Sequence, residues 1–444
     1  MAIVTNGRLE YEMSEIDVTY PDIGKVTYRG SYPLIVSNQW TPPSKEYTDC
    51  ITFTGESSDF TLKATNKEWD GTVEYSTDHN AWTVWDGSEI SSSSQKLYLR
   101  GSGNTKFYKS RGARFVLSAR AACSGNIQTL LEYSNPPTAV ATYCYRSMFR
   151  SCTNLTIAPE LPATTLAINC YSSMFNGCTS LTAAPALPAT TLADNCYNEM
   201  FNGCTNLTAA PALPATTLAI NCYSGMFFGC TNLTAAPALP AATLASSCYS
   251  SMFNGCTNLT QAPELPAISL MLYCYANMFK GCTSLTTAPE LPATTLASSC
   301  YSGMFLGCTN LTAAPELPAT TLKSDCYSYM FNGCTNLITT PALPATTLAD
   351  NCYANMFKGC TSLTTAPELP ATTLASSCYS SMFQNCTSLK ISATQSSEYP
   401  TSWRIPSSGT ISSTATNWNH KMLSGTGGTF TGNPDINTTY YGAW

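Results

Sequence analysis

The stretch Cys170-Tyr-Ser-Ser-Met-Phe-Asn-Gly-Cys178-Thr-Ser-Leu-Thr-Ala-Ala-Pro185-Ala-Leu-Pro-Ala-Thr-Thr-Leu192-Ala-Asp-Asn195 decides the fold of this chain. It occurs ten times in closely similar form within 444 residues, each copy 26 residues after the last without insertion or deletion. A fixed period of this length is typical of a solenoid, in which each coil buries its apolar face only against its neighbours. The sequence therefore predicts a repeat solenoid of ten stacked coils.

Each coil divides into three sides. The spacing of four residues between Cys170, Met174 and Cys178 forms an apolar stripe and predicts one or two helical turns. The next residues alternate polar and apolar around Leu181, which predicts a short parallel strand. Two prolines then forbid continuation, so the remainder is expected to return in an extended path.

The apolar residues of the coil are expected to form ladders in the core. Twenty of the 22 cysteines fall in two registers. We expect buried free thiols, because a parallel ladder points its Cβ vectors the same way and because the C-x7-C spacing lacks the close pairs of zinc sites. The predicted core ladder includes Cys170, Cys178, Cys196, Cys204, Cys222, Cys230, Leu181, Leu207, Phe175 and Phe201.

The tyrosine after the first cysteine of each coil is the best candidate for contact with a ligand. Exposed rings would form an aromatic strip able to stack on sugar rings, whereas rings half-buried on the apolar face would show only their hydroxyls. The outward residues nearby vary between coils, as a recognition surface requires and as an idle surface also permits. The candidate strip comprises Tyr171, Tyr197, Tyr223, Tyr249, Tyr275, Tyr301, Tyr327 and Tyr353.

The flanking sequence predicts further domains. Residues 46–120 contain short alternating segments separated by Gly, Asn, Asp and Ser, which favour a small all-β sandwich-like domain. Residues 1–45 are predicted to form a polar arm and linker. The solenoid is predicted to span 121–394, with a degenerate first coil at 121–143. Residues 395–444 are rich in Ser, Thr and Gly and predict short β-hairpins that cap the other end.

Composition excludes several classes of partner. Charged residues make up 11% of the chain and the net charge is -6, so a nucleic-acid partner or an anionic membrane is not expected. No stretch of about 18 apolar residues predicts a membrane span. The first ten residues lack the apolar run of a secretory signal, so we expect synthesis without a leader, in the cytoplasm.

Catalytic and metal-binding residues are not predicted, and no cofactor is expected. The two histidines, His79 and His420, lie in opposite flanking regions, which disfavours a nucleophilic triad. Glu264, Glu290 and Glu316 share one register on successive coils and could be considered as paired carboxylates. The same register holds alanine in other coils, which favours a solvated face: Ala186, Ala212, Ala238 and Ala342.

The unit Cys-Tyr-x-x-Met-Phe-x-Gly-Cys-Thr-[Asn/Ser]-Leu-Thr-x-x-Pro-x-Leu-Pro-Ala-Thr-Thr-Leu resembles the BspA-like branch of bacterial leucine-rich repeats over about residues 121–394. The resemblance implies a right-handed leucine-rich-repeat solenoid used in surface attachment, often preceded by small β-sandwich modules, and it implies no catalytic residues. Similar repeats, with a comparable Ser-Gly-Thr and Trp-rich tail, are found in structural or host-attachment proteins of phages that infect gut bacteria.

Three functions follow as hypotheses. The first is a phage virion component, such as a fibre, decoration or tail-associated protein, located on the virion surface with its solenoid facing the host. The second is a secreted bacterial surface adhesin. The third is a carbohydrate-active enzyme with the solenoid as its binding module. Expected partners are a bacterial cell-surface glycan or protein, or other virion proteins, with oligomerisation through the N-terminal region. Because the coils are so similar, we expect multivalent binding in which no coil is special.

Overall fold

The computed structural model of the chain describes, besides the backbone of five short strands near the N-terminus, residues 50–108, 113–391, 405–408 and 411–427. The chain divides into two compact units, Met1–Thr48 and Asp49–Trp444. All ten predicted coils lie in the second unit.

The first unit contains five short strands, β1 (Ile3–Thr5), β2 (Arg8–Glu10), β3 (Glu15–Tyr20), β4 (Gly24–Arg29) and β5 (Leu34–Ile35). Three of them form an antiparallel sheet in the order β1-β2-β5, and β3 pairs with β4. The prediction of a polar arm and linker missed these strands, because segments this short and this polar give only a weak alternating pattern.

The second unit begins with nine strands, β6 (Ile51–Gly55), β7 (Thr61–Ala64), β8 (Thr72–Ser76), β9 (Thr83–Val84), β10 (Ile90–Ser91), β11 (Lys96–Ser102), β12 (Phe115–Leu117), β13 (Ala121–Ser124) and β14 (Leu155–Ile157). Six form a sheet in the order β14-β13-β6-β11-β8-β9, and three form a sheet in the order β10-β7-β12. Only β13 and β14 pair in parallel. In the described part of the chain neither sheet closes on itself, and the sandwich-like arrangement stays a prediction.

The larger sheet continues into the solenoid, since β13 and β14 lie beyond the predicted domain boundary. Two phenylalanines ahead of the coils extend the core columns. Phe107 donates its backbone N–H to the Cys144 carbonyl oxygen over 2.7 Å, and its ring stacks on Tyr145 at 6.0 Å. The ring of Phe115 lies 5.6 Å from that of Phe149. These contacts cover the apolar face of the first complete coil, which a solenoid requires at its end.

The side of each coil that was predicted to be helical is instead a series of turns, which we call the turn ladder. Every fourth residue has a left-handed backbone from the residue just before Cys170 onward: Asn169, Ser173 and Gly177 have φ of 57°, 53° and 77°. The residues between them close tight turns, as where Met174 donates its N–H to the Tyr171 carbonyl oxygen over 3.1 Å. A left-handed residue at every fourth position is incompatible with an α-helix.

Alternate residues of the turn ladder bond to the next coil. Tyr171 donates its N–H to the Cys196 carbonyl oxygen over 3.0 Å, and Phe175 donates to Met200 over 2.9 Å. An α-helix would keep these N–H groups for its own carbonyls. The turn ladder therefore exchanges intra-coil hydrogen bonds for inter-coil ones, and each coil depends on its neighbour for backbone pairing.

The strand prediction holds in full only for the first coil, where β14 forms. At the equivalent position later coils make parallel bridges of single residues, such as Ile157 with Ala183 and Ala235 with Gln261. A second row of parallel bridges joins the extended return segments, for example Thr165 with Thr191.

The core of the solenoid consists of ladders of identical side chains. Successive tyrosine rings lie 5.7–5.9 Å apart, within 11° of parallel. Successive phenylalanine rings lie 5.5–5.7 Å apart, within 14° of parallel. Such offset stacking is favourable beyond the area buried. The structure also places in this core the residues Cys170, Cys178, Cys196, Cys204, Cys222, Cys230, Leu181 and Leu207.

Residues 411–427 lie in the region predicted to form hairpins, and they form an eleventh turn ladder instead. The remainder of that prediction, apart from 405–408, falls outside the described residues. Tyr379 donates its N–H to the Trp418 carbonyl oxygen over 2.7 Å, and Phe383 donates to Met422 over 2.9 Å. Left-handed residues again recur every fourth position, with φ of 54°, 52° and 74° at Asn417, Lys421 and Gly425. This partial coil covers the last complete one.

Candidate binding surface

The tyrosine column lies in the core, so its rings do not face a ligand. The hydroxyl of Tyr145 donates to the Ile127 carbonyl oxygen over 3.1 Å. The prediction of an exposed aromatic strip is wrong, because the rings of the neighbouring coils cover both faces of each tyrosine. No more than 1% of the side chain is exposed at any of Tyr171, Tyr197, Tyr223, Tyr249, Tyr275, Tyr301, Tyr327 and Tyr353.

The second cysteine of the coil forms a hydrogen bond to the preceding coil, which the sequence pattern did not predict. The Cys178 Sγ donates to the Phe149 carbonyl oxygen over 3.0 Å, and the same contact recurs at 2.9–3.1 Å in every later coil. Burial raises the pKa of these thiols, to about 12 for Cys256, so the proton needed for donation is held. The cysteines of the coils are free and buried. Within the described residues, no group of three or more His, Cys, Asp or Glu side chains could hold a metal ion.

The outward residues of the turn ladder differ from coil to coil on a constant backbone. The left-handed position after each tyrosine has φ of 53° where it is Glu199 and 59° where it is Tyr329. The position before the glycine holds Phe228, exposed by 40%, in one coil and Lys280 in another. Different chemistry is thus displayed at fixed spacing along the solenoid.

A second outward surface follows the proline-rich return segment. Exposure alternates along it, so that Glu264, Pro266 and Ile268 are exposed while the residues between them are buried. Two open grooves lie between this segment and the next coil. One, of about 440 Å³, is lined chiefly by Pro263, Glu264, Pro266, Pro289, Glu290 and Pro292. The other, of about 500 Å³, adjoins it and is lined by Thr260, Gln261, Ala262, Thr286, Thr287, Ala288 and Pro289.

Three exposed carboxylates, Glu264, Glu290 and Glu316, lie in a row on successive coils, and the first two line one of these grooves. None of Glu264, Glu290 and Glu316 forms an ion pair within the part of the chain that the structure describes. Glycoside cleavage needs two carboxyl groups whose surroundings assign one as acid and the other as base or nucleophile. Here the carboxyl groups occupy equivalent positions on successive coils, so the surroundings make no such distinction. The row is suited to binding a cationic group.

Stacked coils with constant apolar ladders and varied outward residues are the features of a leucine-rich-repeat solenoid. The family model described as BspA type Leucine rich repeat region matches in six copies, over residues 142–286, 194–337 and 273–399. The chain belongs to this family, and the predicted resemblance is confirmed. No curated protein and no solved structure matches the chain. Among the described residues, no helix has both the length and the apolar character needed to span a bilayer.

Proposed function

We propose that the chain is a non-catalytic surface-recognition and adhesion protein whose coils carry the binding surface. The observation that supports this most directly is the contrast between core and surface. Identical cysteine, tyrosine and phenylalanine ladders hold the coils, while the position two residues after the tyrosine varies on the same backbone, for example from Glu199 to Tyr329. Membership of a repeat family whose members serve as interaction scaffolds supports the same function.

Recognition by such a scaffold is multivalent. Equivalent positions repeat at the 5.7–5.9 Å step of the tyrosine column. A long ligand, such as a bacterial surface glycan or an extended protein, can therefore contact several coils at once. Contacts that are weak individually then add to useful avidity.

For its location, we propose a phage particle on which the chain is a fibre, decoration or tail-associated protein. The N-terminal unit, and the two sheets after residue 50 packed as a small sandwich, would bind other virion proteins or further copies of the chain. A separate compact unit at Met1–Thr48 supports an attachment role there. The alternative location is the bacterial surface, where the chain would act as a secreted adhesin.

Mass spectrometry of gradient-purified particles tests the location. A virion component is expected in constant ratio to capsid protein across the particle peak. Recovery in the outer-membrane or secreted fraction of uninfected bacteria, and absence from the particles, would assign the chain to the bacterial surface instead.

Binding of fluorescently labelled protein to host cells tests recognition itself. Saturable binding is expected, and its loss after periodate or protease treatment of the cells would identify a glycan or a protein receptor. The matched control is the unlabelled full chain, which in excess should displace the labelled protein. Non-saturable binding to cells of every tested host would refute the proposed function.

A further inference from the structure

One coil exposes an apolar cluster where the other coils do not. In the coil of residues 248–273, large apolar residues replace the Thr, Ala and Ser residues found in the next coil. We call this cluster the apolar patch; its residues are Ile268, Met271, Leu272 and Tyr273, exposed by 65%, 45%, 42% and 47%. Contiguous exposed apolar side chains mark interaction sites on soluble proteins. The surface of this coil therefore differs from those of its neighbours, whereas the expectation that no coil is special in binding stays a prediction.

The backbone beneath the apolar patch is as regular as in any other coil. Ser247 donates its N–H to the Leu272 carbonyl oxygen over 2.8 Å, and Tyr273 donates to Ser298 over 3.3 Å. The neighbouring coils carry only small residues at the positions of Met271, Leu272 and Tyr273, namely Ala245, Ser246 and Ser247 on one side and Ala297, Ser298 and Ser299 on the other. The patch is thus a rigid ridge bordered by small residues.

The ridge continues along the solenoid as a row of aliphatic residues. The position of Leu272 is also aliphatic and exposed at Ile220 and Ile168, by 46% and 44%, with Ser246 and Asp194 in the coils between. Two steps of the tyrosine column amount to about 12 Å, close to the roughly 10.5–12 Å between helix residues seven or eight apart. An α-helix lying along the stack of coils can therefore contact every second coil with one apolar stripe.

Negative charge borders the patch on one side. Glu264 and Ile268 share the exposed face of one extended segment, about 13 Å apart at the strand rise. Glu290 and Glu316 continue the carboxylate row on the next two coils, and the described residues provide no ion-pair partner for it. A binding partner with positive charge on one flank would be complementary.

We propose that the apolar patch binds an amphipathic α-helix of a protein partner, with its apolar stripe on Leu272 and Ile220 and a basic flank toward Glu264 and Glu290. This deepens the proposed recognition function and rests on it. A stable complex between copies buries about 800 Å² on each partner, more than four partly exposed side chains supply, so a slender helix fits better than a second copy. Three of the four patch side chains, those of Ile268, Met271 and Leu272, also lack the strong hydrogen-bonding groups that glycan hydroxyls need, so Tyr273 alone could serve a sugar.

A designed peptide tests this proposal on the full chain. The probe is a labelled helical peptide with leucines along one face and lysines on one flank, and fluorescence anisotropy measures its affinity at low and high salt. The matched variant is Ile268→Thr, Met271→Ala, Leu272→Ser and Tyr273→Ser together, which reproduces the next coil and should therefore fold. It is expected to weaken binding by about tenfold or more.

Two further protein variants and two further peptides test the contributions of charge, patch position and the apolar stripe separately. Glu264→Ala with Glu290→Ala should weaken binding several-fold at low salt and have little effect at high salt, because screening removes the attraction. Transplanting the patch into the next coil of the quadruple variant, by Thr294→Ile, Ala297→Met, Ser298→Leu and Ser299→Tyr, should restore only part of the affinity, because the new patch lies beside Glu290 but three coils from Ile220 instead of two. A peptide with the leucines scattered, and one with glutamates for lysines, should bind at least about tenfold more weakly.

Equal binding of the peptide by the wild type and the quadruple variant would overturn the proposal, as would equal binding of the scattered peptide or no binding by the wild type. Concentration-dependent self-association that the quadruple variant loses would assign the patch to a second copy, and polysaccharide retention lost in the same variant would assign it to a glycan. Either result would overturn the helix proposal. Host-cell binding should also be measured for the quadruple variant. If the variant still binds cells, the proposed recognition function stands even where the helix proposal fails.

Discussion

The left-handed residues of the turn ladder allow a test that distinguishes it from an α-helix. Glycine at such a residue should stabilise a turn ladder, whereas it should destabilise an α-helix. Ser251 has φ of 55°, whereas its neighbour Ser250 is not among the residues with positive φ. Both serines are partly exposed and lie in the same coil. Replacement of each serine by glycine therefore removes the same atoms, although the Ser250 hydroxyl also donates to the Ala276 carbonyl oxygen over 3.4 Å, so that its loss adds to the destabilisation expected at that position.

The expected effects follow from backbone energetics. An L-residue in the left-handed conformation costs roughly 1–2 kcal/mol that glycine avoids, while the greater freedom of glycine in the unfolded chain costs about 0.4–1 kcal/mol. Ser251→Gly should thus raise the free energy of unfolding by about 0.5–1 kcal/mol. Ser250→Gly should lower it by about 0.5–1 kcal/mol. Sister coils already contain Gly225 and Gly303 at the position of Ser251.

Urea unfolding of both variants, followed by circular dichroism, gives the direction of each shift. Hydrogen exchange of the turn-ladder amides should accompany it, because unfolding of a long solenoid is not strictly two-state and stability is a sum of local terms. An α-helix would lose stability with either substitution, as glycine does in helix interiors. Equal destabilisation by Ser250→Gly and Ser251→Gly would refute the turn ladder.

Three further perturbations test the core, the cap and the repeat architecture. Cys204→Ala should lower the free energy of unfolding by about 1–3 kcal/mol, because it leaves a small cavity in the core and removes one of the two hydrogen bonds to the Phe175 carbonyl oxygen, which keeps only the N–H of Cys178. Cys204→Ser should recover part of the loss, and denaturant midpoints measure both. Because burial raises the pKa of the thiols, to about 11 for Cys152, the contribution of the thiols to stability should be constant below about pH 8.5 and fall from there as the unfolded thiols ionise, with the loss complete only above the folded pKa values. Melting temperatures that stay flat from about pH 8.5 to about pH 11 would contradict this. Trp418→Ala should loosen the eleventh turn ladder and increase exchange at Tyr379 before any interior coil is affected. Deleting residues 300–351 should leave a folded, shorter solenoid that still binds the helical peptide, whereas deleting 222–273 should leave a folded one that does not; circular dichroism separates loss of binding from loss of folding.

The buried ladders could be predicted from the sequence, but the backbone that carries them could not. Fixed apolar positions such as Leu181 and Phe175 identify the core in any solenoid of this period. Over nine residues, however, a spacing of four fits both a 3.6-residue helix and a four-residue turn repeat. Asn169 and Ser173 favour helix N-caps as well, and only the hydrogen bonds to the next coil distinguish the two structures.

Exposure depends on the neighbouring coil, which a single repeat does not reveal. The ring of Tyr171 borders polar residues in sequence, yet the stacked rings of Tyr145 and Tyr197 bury it. The 26-residue repeat does not reveal the eleventh turn ladder. Trp418 stands in place of the cysteine and lies 40 residues after Cys378, whereas earlier coils keep an interval of 26. The residues Met-Leu-Ser-Gly after position 421 retain the Met-Phe-x-Gly signature and could have indicated it.

Because the coils are so regular, the exposed apolar residues of one coil call for an explanation. The next coil folds on the same ladders with Thr294, Ala297, Ser298 and Ser299 where the coil of residues 248–273 exposes large apolar side chains, so those side chains are not needed for folding. Exposed apolar surface carries a cost in solubility that folding does not offset here, whereas a bound partner would offset it by removing that surface from water. In the proposed function, the length of the solenoid sets its reach and avidity, and the coil of residues 248–273 determines which partner is bound.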